Sequence, residues 1–487
     1  MANAHAGAGS GPIIDIAEVL DAQKVTSFNI MLIAIGWFAI FADGFDISAI
    51  GYVMPNIMKE FHLGPETVGL VNSASLAAYP IGALLLGWVS DRQGRKLALM
   101  IGCLVVSLST FATMFVHSAE SLAAMRFITG CGLGGVIPNI VALGSEFAPK
   151  RMRARLIIFT FCGINFGGFI SGVIAPAVIG EWGWRGLFFV GGAVPLVAVI
   201  LMWVFMPESI KFLALHGGRN KELRGTLHRL VPALSLPDNA RFVVASQGSR
   251  VPFSFGQLFA GPLRWLTPII WIMFILNFIT LYFAGSWINI LLQGSGVPAT
   301  QAILVSSLNQ GGGVLGGLVI AYFVDRFGFL SAMFWGMLTA ATVWMIGIPG
   351  LQVGWIAVWV AISGFGMQGV QYALNATPGM IYPTSFRAFG AGWAFGVSRL
   401  GAVAGPIIGG VLVGMYEAMH MAKPEVAQKM FIFPVYPLCV GIVLAGVGAL
   451  LCRRYFRSYQ FEETTVGPEG ATLTASPASS GSAPLVG

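Results

Sequence analysis

Charge is what this chain has least of. Only 10% of its 487 residues are Asp, Glu, Lys or Arg, against about 25% in an ordinary soluble protein. A chain this poor in charge cannot face water along its whole length. Histidine is also scarce. None of the six (5, 62, 117, 216, 228 and 420) falls inside an apolar run, which excludes a histidine proton relay within a membrane. The five cysteines, Cys103, Cys131, Cys162, Cys439 and Cys452, lack metal or disulfide spacing and read as small core residues. The first 27 residues lack the pattern of a cleaved secretory leader. The chain carries no nucleotide loop, metal cluster or nucleophile constellation. No catalytic residue, cofactor or metal is therefore expected, and the chain does not read as an enzyme.

Apolar residues are abundant: 56% of the chain, with a mean hydropathy of +0.79. They come in twelve runs, each long enough to cross ~30 Å of hydrocarbon. The runs lie near 28–53, 68–89, 97–116, 122–145, 156–179, 185–206, 267–292, 300–324, 330–349, 353–378, 389–415 and 431–452. The net charge of +7 invites a nucleic-acid reading, but its distribution contradicts one. With the N-terminus inside, 21 of the 27 Lys and Arg fall in cytoplasmic segments. Lys59, Arg185, Lys423 and Lys429 fall outside, and Arg126 and Arg399 fall within runs. This is the positive-inside bias of a multi-pass inner-membrane protein with both termini cytoplasmic. The expected organisation is a segment at 1–27, six spans in 28–206, a cytoplasmic loop at 207–264, six spans in 265–453 and a disordered tail at 454–487.

The chain also repeats itself at a constant offset of 234. Trp37 meets Trp271, Asp91 meets Asp325, and Gly130, Gly132 and Gly135 meet Gly364, Gly366 and Gly369. Pro149 and Arg153 meet Pro383 and Arg387, and Gly167 meets Gly401. Six spans and a hydrophilic stretch separate the copies, so the repeat is parallel. Two such halves around a central site form an alternating-access architecture. The fold class is thus all-α polytopic, with twelve transmembrane helices as two six-helix parallel repeats.

Charges inside the spans break the repeat. Asp43 and Asp46 stand in the first span, but their mates are Asn277 and Thr280. An intramembrane carboxylate costs a few kcal/mol or more and marks a functional site by default. Spaced i, i+3, the two lie on one helix face, and their mutual repulsion favours protonation. With histidine absent, this pair is the proton-coupling candidate. Arg399 falls near mid-span in span eleven, beyond the reach of snorkelling. Its planar fork suits a carboxylate, either that of a substrate or that of an acid in the other half. Arg126 lies about one turn below the outer surface at ~1.5 Å per residue. It faces the acid pair or snorkels outward. Asn165, Asn277 and Tyr282, with Gln368, Gln371, Tyr372 and Asn375 in span ten, add polar groups at related depths. They line a substrate path or bond helix to helix.

Between spans two and three the sequence reads GWVSDRQGRK over 87–96. It resembles the loop signature of the major facilitator superfamily, with a degenerate copy, AYFVDRFG, over 321–328. DGFD over 43–46 narrows the resemblance to the aromatic acid:H⁺ symporters. So do RFITGCGLGGVIPN over 126–139, SEFAPKRMRAR over 145–155 and PESIKFL over 207–213. The lead-in IDIAEVLDAQKVTSF over 14–28 resembles that family too. The exporter-like element GAVAGPIIGG stands at 401–410 in span eleven rather than in span five, which favours uptake.

The resemblance implies gating by the loop residues Asp91, Arg92 and Arg95, with Asp325 in the second copy. It extends that role to Glu146 and Arg153, and to Arg387 as the mate of Arg153. It implies a proton-coupled importer of small aromatic carboxylates such as hydroxy- or methoxybenzoates, acting in the lipid bilayer as a monomer without nucleic acid. The substrate-binding expectation covers Arg399, Arg126, Asn277, Tyr282, Asn165, Gln368 and Tyr372. The alternative is a symporter of nicotinate or a small carboxylate. A non-transporting chemosensor would need an output domain, which neither 207–264 nor the tail supplies.

Overall fold

The computed structural model describes residues 13–16, 26–147, 153–216, 220–231, 241–243, 254–327, 329–383 and 385–456. The remaining parts of the expected terminal segments and central loop lie outside the described residues, as do the side chains of Arg153 and Asp325.

The first apolar run forms α1 (Ser27–Phe61), which begins at a capping box. Thr26 Oγ1 accepts from the Asn29 amide at 3.4 Å, and Asn29 Oδ1 accepts from the Thr26 amide at 2.8 Å. This satisfies donors that a helix start otherwise leaves bare. Next come α2 (Pro65–Gln93), α3 (Arg95–Ala112) and α4 (Ala119–Phe147). The run Arg153–Phe205 breaks at Gly183, where φ is 67° and ψ is −176°. Glycine alone adopts that backbone readily. The break divides the run into α5 (153–182) and α6 (184–205). Two short helices follow, α7 (Ile210–His216) and α8 (Asn220–Leu230).

The second set comprises α9 (Leu263–Gly294), α10 (Ala299–Phe327), α11 (Phe329–Ile346), α12 (Val353–Ile381) and α13 (Arg387–Ala418). It ends with a short α14 (Lys423–Ile432) and α15 (Val435–Phe456). Twelve of these helices correspond to the twelve apolar runs. Large apolar side chains such as Leu84, Trp203, Leu400 and Leu450 stay exposed on their outer faces, as lipid-facing positions must.

The repeat has a physical expression in its glycines. A Cβ at Gly167 of α5 would overlap the Phe41 carbonyl of α1, and one at Gly401 of α13 would overlap the Ile275 carbonyl of α9. Both partners in each pair are related by the 234-residue offset. In lipid, such small residues let backbones approach closely. The same approach is therefore built twice.

The end of the bundle bearing Thr26 and Phe456 is called the near end, the opposite one the far end. A small structure caps the near end of the first six spans. Strand β1 (Ile13–Asp15) pairs in parallel with β2 (Arg241–Val243), Ile13 opposite Arg241. This pair is an addition to the all-α membrane fold. Ile16 is buried with Leu213, Leu223, Leu227 and Leu230 of α7 and α8 and with Leu32, Phe147 and Met206 of the bundle. That shared apolar cluster stabilises a strand pair too short to persist alone.

Hydrogen bonds between the two six-span halves run from mid-span to the far end. Asn289 Nδ2 of α9 donates to Gly51 O at 3.1 Å and to Tyr52 O at 3.0 Å on α1. Ser73 Oγ of α2 donates to Val403 O of α13 at 2.8 Å. Gln310 Nε2 of α10 donates to Ser48 Oγ at 3.0 Å, and Gln368 Nε2 of α12 to Asn165 Oδ1 at 2.8 Å. Among the described residues, these bonds all lie from mid-span outward to the far end.

Candidate functional site

Asp43 and Asp46 are both buried in α1, yet they meet different helices. Asp43 Oδ1 accepts a hydrogen bond from the Tyr79 hydroxyl of α2 at 2.7 Å, while its Oδ2 is buried without a partner. Asp46 turns toward α3 and α4. Arg126 Nη1 donates to both Asp46 oxygens at 3.1 Å, and Thr110 Oγ1 donates to Oδ1 at 2.9 Å. Arg126 Nη2 donates to Thr113 Oγ1 at 3.0 Å, and the guanidinium lies 5.0 Å from the Phe188 ring centre. Arg126 is 1% exposed, so it turns inward to Asp46 and does not snorkel. The two aspartates thus differ in state. Asp46 is neutralised by a fixed cation, whereas Asp43 has one neutral donor and one empty oxygen.

Arg399 is half-buried midway along α13. Its guanidinium carbon stands 4.6 Å from the ring centre of Tyr79 and 5.8 Å from that of Phe278. Stacking of this kind contributes about 0.5–2 kcal/mol, more as water is excluded. Asp43 and the Tyr282 hydroxyl of α9 are both within its electrostatic reach. Among the described residues, no carboxylate lies within ion-pair distance of Arg399. A cation on an aromatic platform with no carboxylate partner can receive an anion.

Around α12 the amides form one pair, which crosses to the first half, and one chain of three within the second half. Gln368 bonds Asn165 of α5, and Tyr372 neighbours the same Asn165 and Cys162. On the adjoining face, Asn277 Nδ2 donates to Gln371 Oε1 at 2.7 Å, and Gln371 Nε2 donates to Asn375 Oδ1 at 2.7 Å. Asn277 Oδ1 remains buried and unpartnered. Sequence reasoning missed Tyr79, Thr110, Thr113 and Phe278. The only available signal for Tyr79 was its depth, midway along α2 and level with Arg399 and Asp43.

Of the expected gate residues, Asp91, Arg92, Arg95 and Glu146 stand at the near end of the first half, and Arg387 at that of the second. Arg95 Nε lies 3.3 Å from Glu146 Oε1, an ion pair without hydrogen-bond geometry. Glu146 Oε2 accepts from Ser209 Oγ at 2.5 Å. Glu208 Oε1 accepts from the Arg95 and Lys96 amides at 2.8 and 3.1 Å, which places a carboxylate on the bare N-terminus of α3. Arg92 is exposed and lies over the Trp88 ring at 4.3 Å, and Asp91 is exposed at the end of α2. Arg387 is exposed and donates from Nε to Tyr382 O at 3.3 Å.

Twelve apolar helices in two repeated sets, with charges collected at the centre, define a multi-pass membrane transporter. The chain belongs to the Major Facilitator Superfamily, whose model matches residues 36–406. It is 30% identical over 404 residues to the 4-hydroxybenzoate transporter PcaK of Pseudomonas aeruginosa, covering 82% of this chain and 90% of that one. It is 31% identical over 446 residues to the 4-hydroxybenzoate transporter PcaK of Acinetobacter baylyi, covering 90% and 95%. Among solved structures, it resembles a bacterial homologue of the human lysosomal transporter Spinster in an inward-facing, unoccupied conformation. The TM-score is 0.65 at 15% identity, covering 89% of this chain and 99% of that one. At that identity the likeness concerns the fold.

Proposed function

We propose that the chain imports small aromatic carboxylates, such as hydroxy- or methoxybenzoates, together with protons by alternating access. The observation that carries this reading is the placement of Asp43 and Arg399 on either side of Tyr79 at mid-membrane. Asp43 has an oxygen free to take a proton, Arg399 has no carboxylate partner among the described residues, and aromatic rings lie between and beside them. The activity of the relatives supports the substrate class.

The mechanism follows from the charges. With Asp43 ionised, its field holds the Arg399 guanidinium, and an incoming benzoate competes with it. A proton on Oδ2 of Asp43 removes that field, and Arg399 then binds the carboxylate through its planar fork. Aromatic faces at Phe278 and Tyr282 receive the ring, and the amides of Asn277, Gln368 and Asn165 with Tyr372 offer hydrogen bonds to its substituents. Arg126 is held by Asp46 and contributes to the anion through its field.

The lysine and arginine distribution makes the near end cytoplasmic, in a bacterial inner membrane with both termini inside. The far-end hydrogen bonds then close the site to the outside, and the conformation faces inward. In the outward-facing state the near ends of the halves close together, and Asp91, Arg92, Arg95 and Glu146, with Arg153, Asp325 and Arg387, exchange contacts there. One chain carries both halves of the site, so a monomer suffices.

Proteoliposomes with an imposed pH gradient test the reading. Labelled 4-hydroxybenzoate should accumulate, unlabelled benzoates should compete, and dissipating the gradient should reduce the lumenal concentration to equilibrium. Accumulation that ignores the gradient would sink proton coupling, and preferential uptake of nicotinate would move the substrate class.

A further inference from the structure

Tyr79 touches both charged centres of the site. Its hydroxyl donates to Asp43 at 2.7 Å, and its ring face carries Arg399 at 4.6 Å. The first contact lies within the first half of the molecule and the second crosses to the other half. Tyr79 and Asp43 are both buried, so the hydroxyl contact is shielded from bulk water. It stands at mid-depth on α2, at the near-side limit of the hydrogen-bonded contact between α2 and α13 that Ser73 and Val403 make. The residue after it is Pro80, which lacks an N–H and leaves the Leu76 carbonyl without its helical donor. A proline inside a helix makes a local point of bending. The tyrosine is therefore placed where α2 can adjust.

We propose that Tyr79 is the positioning residue that couples the protonation of Asp43 to the hold of Arg399 on the substrate carboxylate. This rests on the proton-symport reading above. The groups that surround the pair are Asp46 on α1, Cys103 on α3, Tyr282 on α9 and Arg399 on α13. Ionised Asp43 accepts a charge-assisted hydrogen bond, about twice as strong as a neutral one. That bond fixes the ring in the plane on which Arg399 stacks, with the guanidinium drawn toward the acid. Once Oδ2 carries a proton, the bond to Oδ1 weakens to a neutral one. The hydroxyl can then turn to a substrate oxygen while the ring still supports Arg399. A proton on one helix is thus read by a cation on another, although the two charges share no direct hydrogen bond.

The test is a pair of substitutions that divide the two contacts. Tyr79→Phe keeps the ring under Arg399 and removes the hydroxyl; Tyr79→Leu removes both. Each purified variant is checked by gel filtration, then assayed for substrate exchange and for pH-gradient-driven accumulation. Binding of 4-hydroxybenzoate is measured from acid to alkaline pH.

Tyr79→Phe should lower accumulation more than exchange, with the ratio falling about tenfold, the scale of one charge-assisted hydrogen bond. The pH dependence of binding should flatten. Tyr79→Leu should in addition weaken binding at every pH. An unchanged ratio and an unchanged binding profile in Tyr79→Phe would overturn the proposal. So would an equal loss of exchange and accumulation, since the hydroxyl would then serve binding alone. Asp43→Asn in the same vesicles separates the two levels. If it still accumulates substrate against a gradient, the symport reading fails. If it does not, and Tyr79→Phe behaves as wild type, only the role of Tyr79 fails.

Discussion

The two halves share one backbone plan, yet their mid-membrane chemistry differs. The first half buries Asp46 and Arg126 in a network closed by Thr110 and Thr113, with Asp43 held apart by Tyr79. At the matching positions the second half has Asn277, Thr280 and Val360, while Arg399 stands where the first half has Asn165. Thr280 merely bonds back to Leu276 O of its own helix, at 3.0 Å. The glycine contacts that set helix spacing are duplicated, and the ionisable groups are not. The halves therefore share scaffold but not charge. One half carries the protonatable acids, and the other offers a cation and amides across the interface.

The most severe way to break this contrast is Asp43→Asn, which makes the first half resemble the second. Gradient-driven accumulation in vesicles should be abolished. Next in size is the buried pair in the first half. Arg126→Leu leaves Asp46 charged and alone, at a cost of about 3–5 kcal/mol. The thermal midpoint in detergent should fall sharply and be partly restored in the double variant with Asp46→Asn. Simple additivity of the two would dissolve the pair.

Arg399→Lys keeps a charge in the second half but loses the planar fork. The KM for 4-hydroxybenzoate should rise by roughly tenfold, about 1.4 kcal/mol of binding, with folding intact. The smallest effect is expected at the far-end seam. Pro55 cannot donate to the Gly51 carbonyl, and Asn289 supplies that donor from the other half. Asn289→Ala should weaken the closed far end by about 1–3 kcal/mol. Spin labels placed on the far ends of α1 and α9 should report more of the open state.

Much of this was legible in the sequence because helix depth is a one-dimensional quantity. Run length gave the twelve spans, the constant offset gave the repeat, and counting residues from the membrane surface put Arg126 near Asp46. Lateral position is not one-dimensional. Asp43 and Asp46 share a face of α1 by spacing, but that face is broad enough to meet α2 with one residue and α3 and α4 with the other. The acids therefore read as one pair when each has its own partners. Tyr79 escaped notice for a related reason. A single tyrosine in an apolar run has no pattern, and its role arises only where three helices converge. The strand pair was equally hidden, since three-residue strands leave no alternation to detect.

That strand pair has a consequence for the order in which the molecule is made. β1 lies at residues 13–15, and its partner β2 lies at 241–243. A ribosome delivers the first strand long before the second, with six membrane spans threaded in the interval. The clasp can close only after the whole first half has left the exit tunnel. Both strands precede every span of the second half, so the first half can be fastened as a finished unit while the rest of the chain is still being translated.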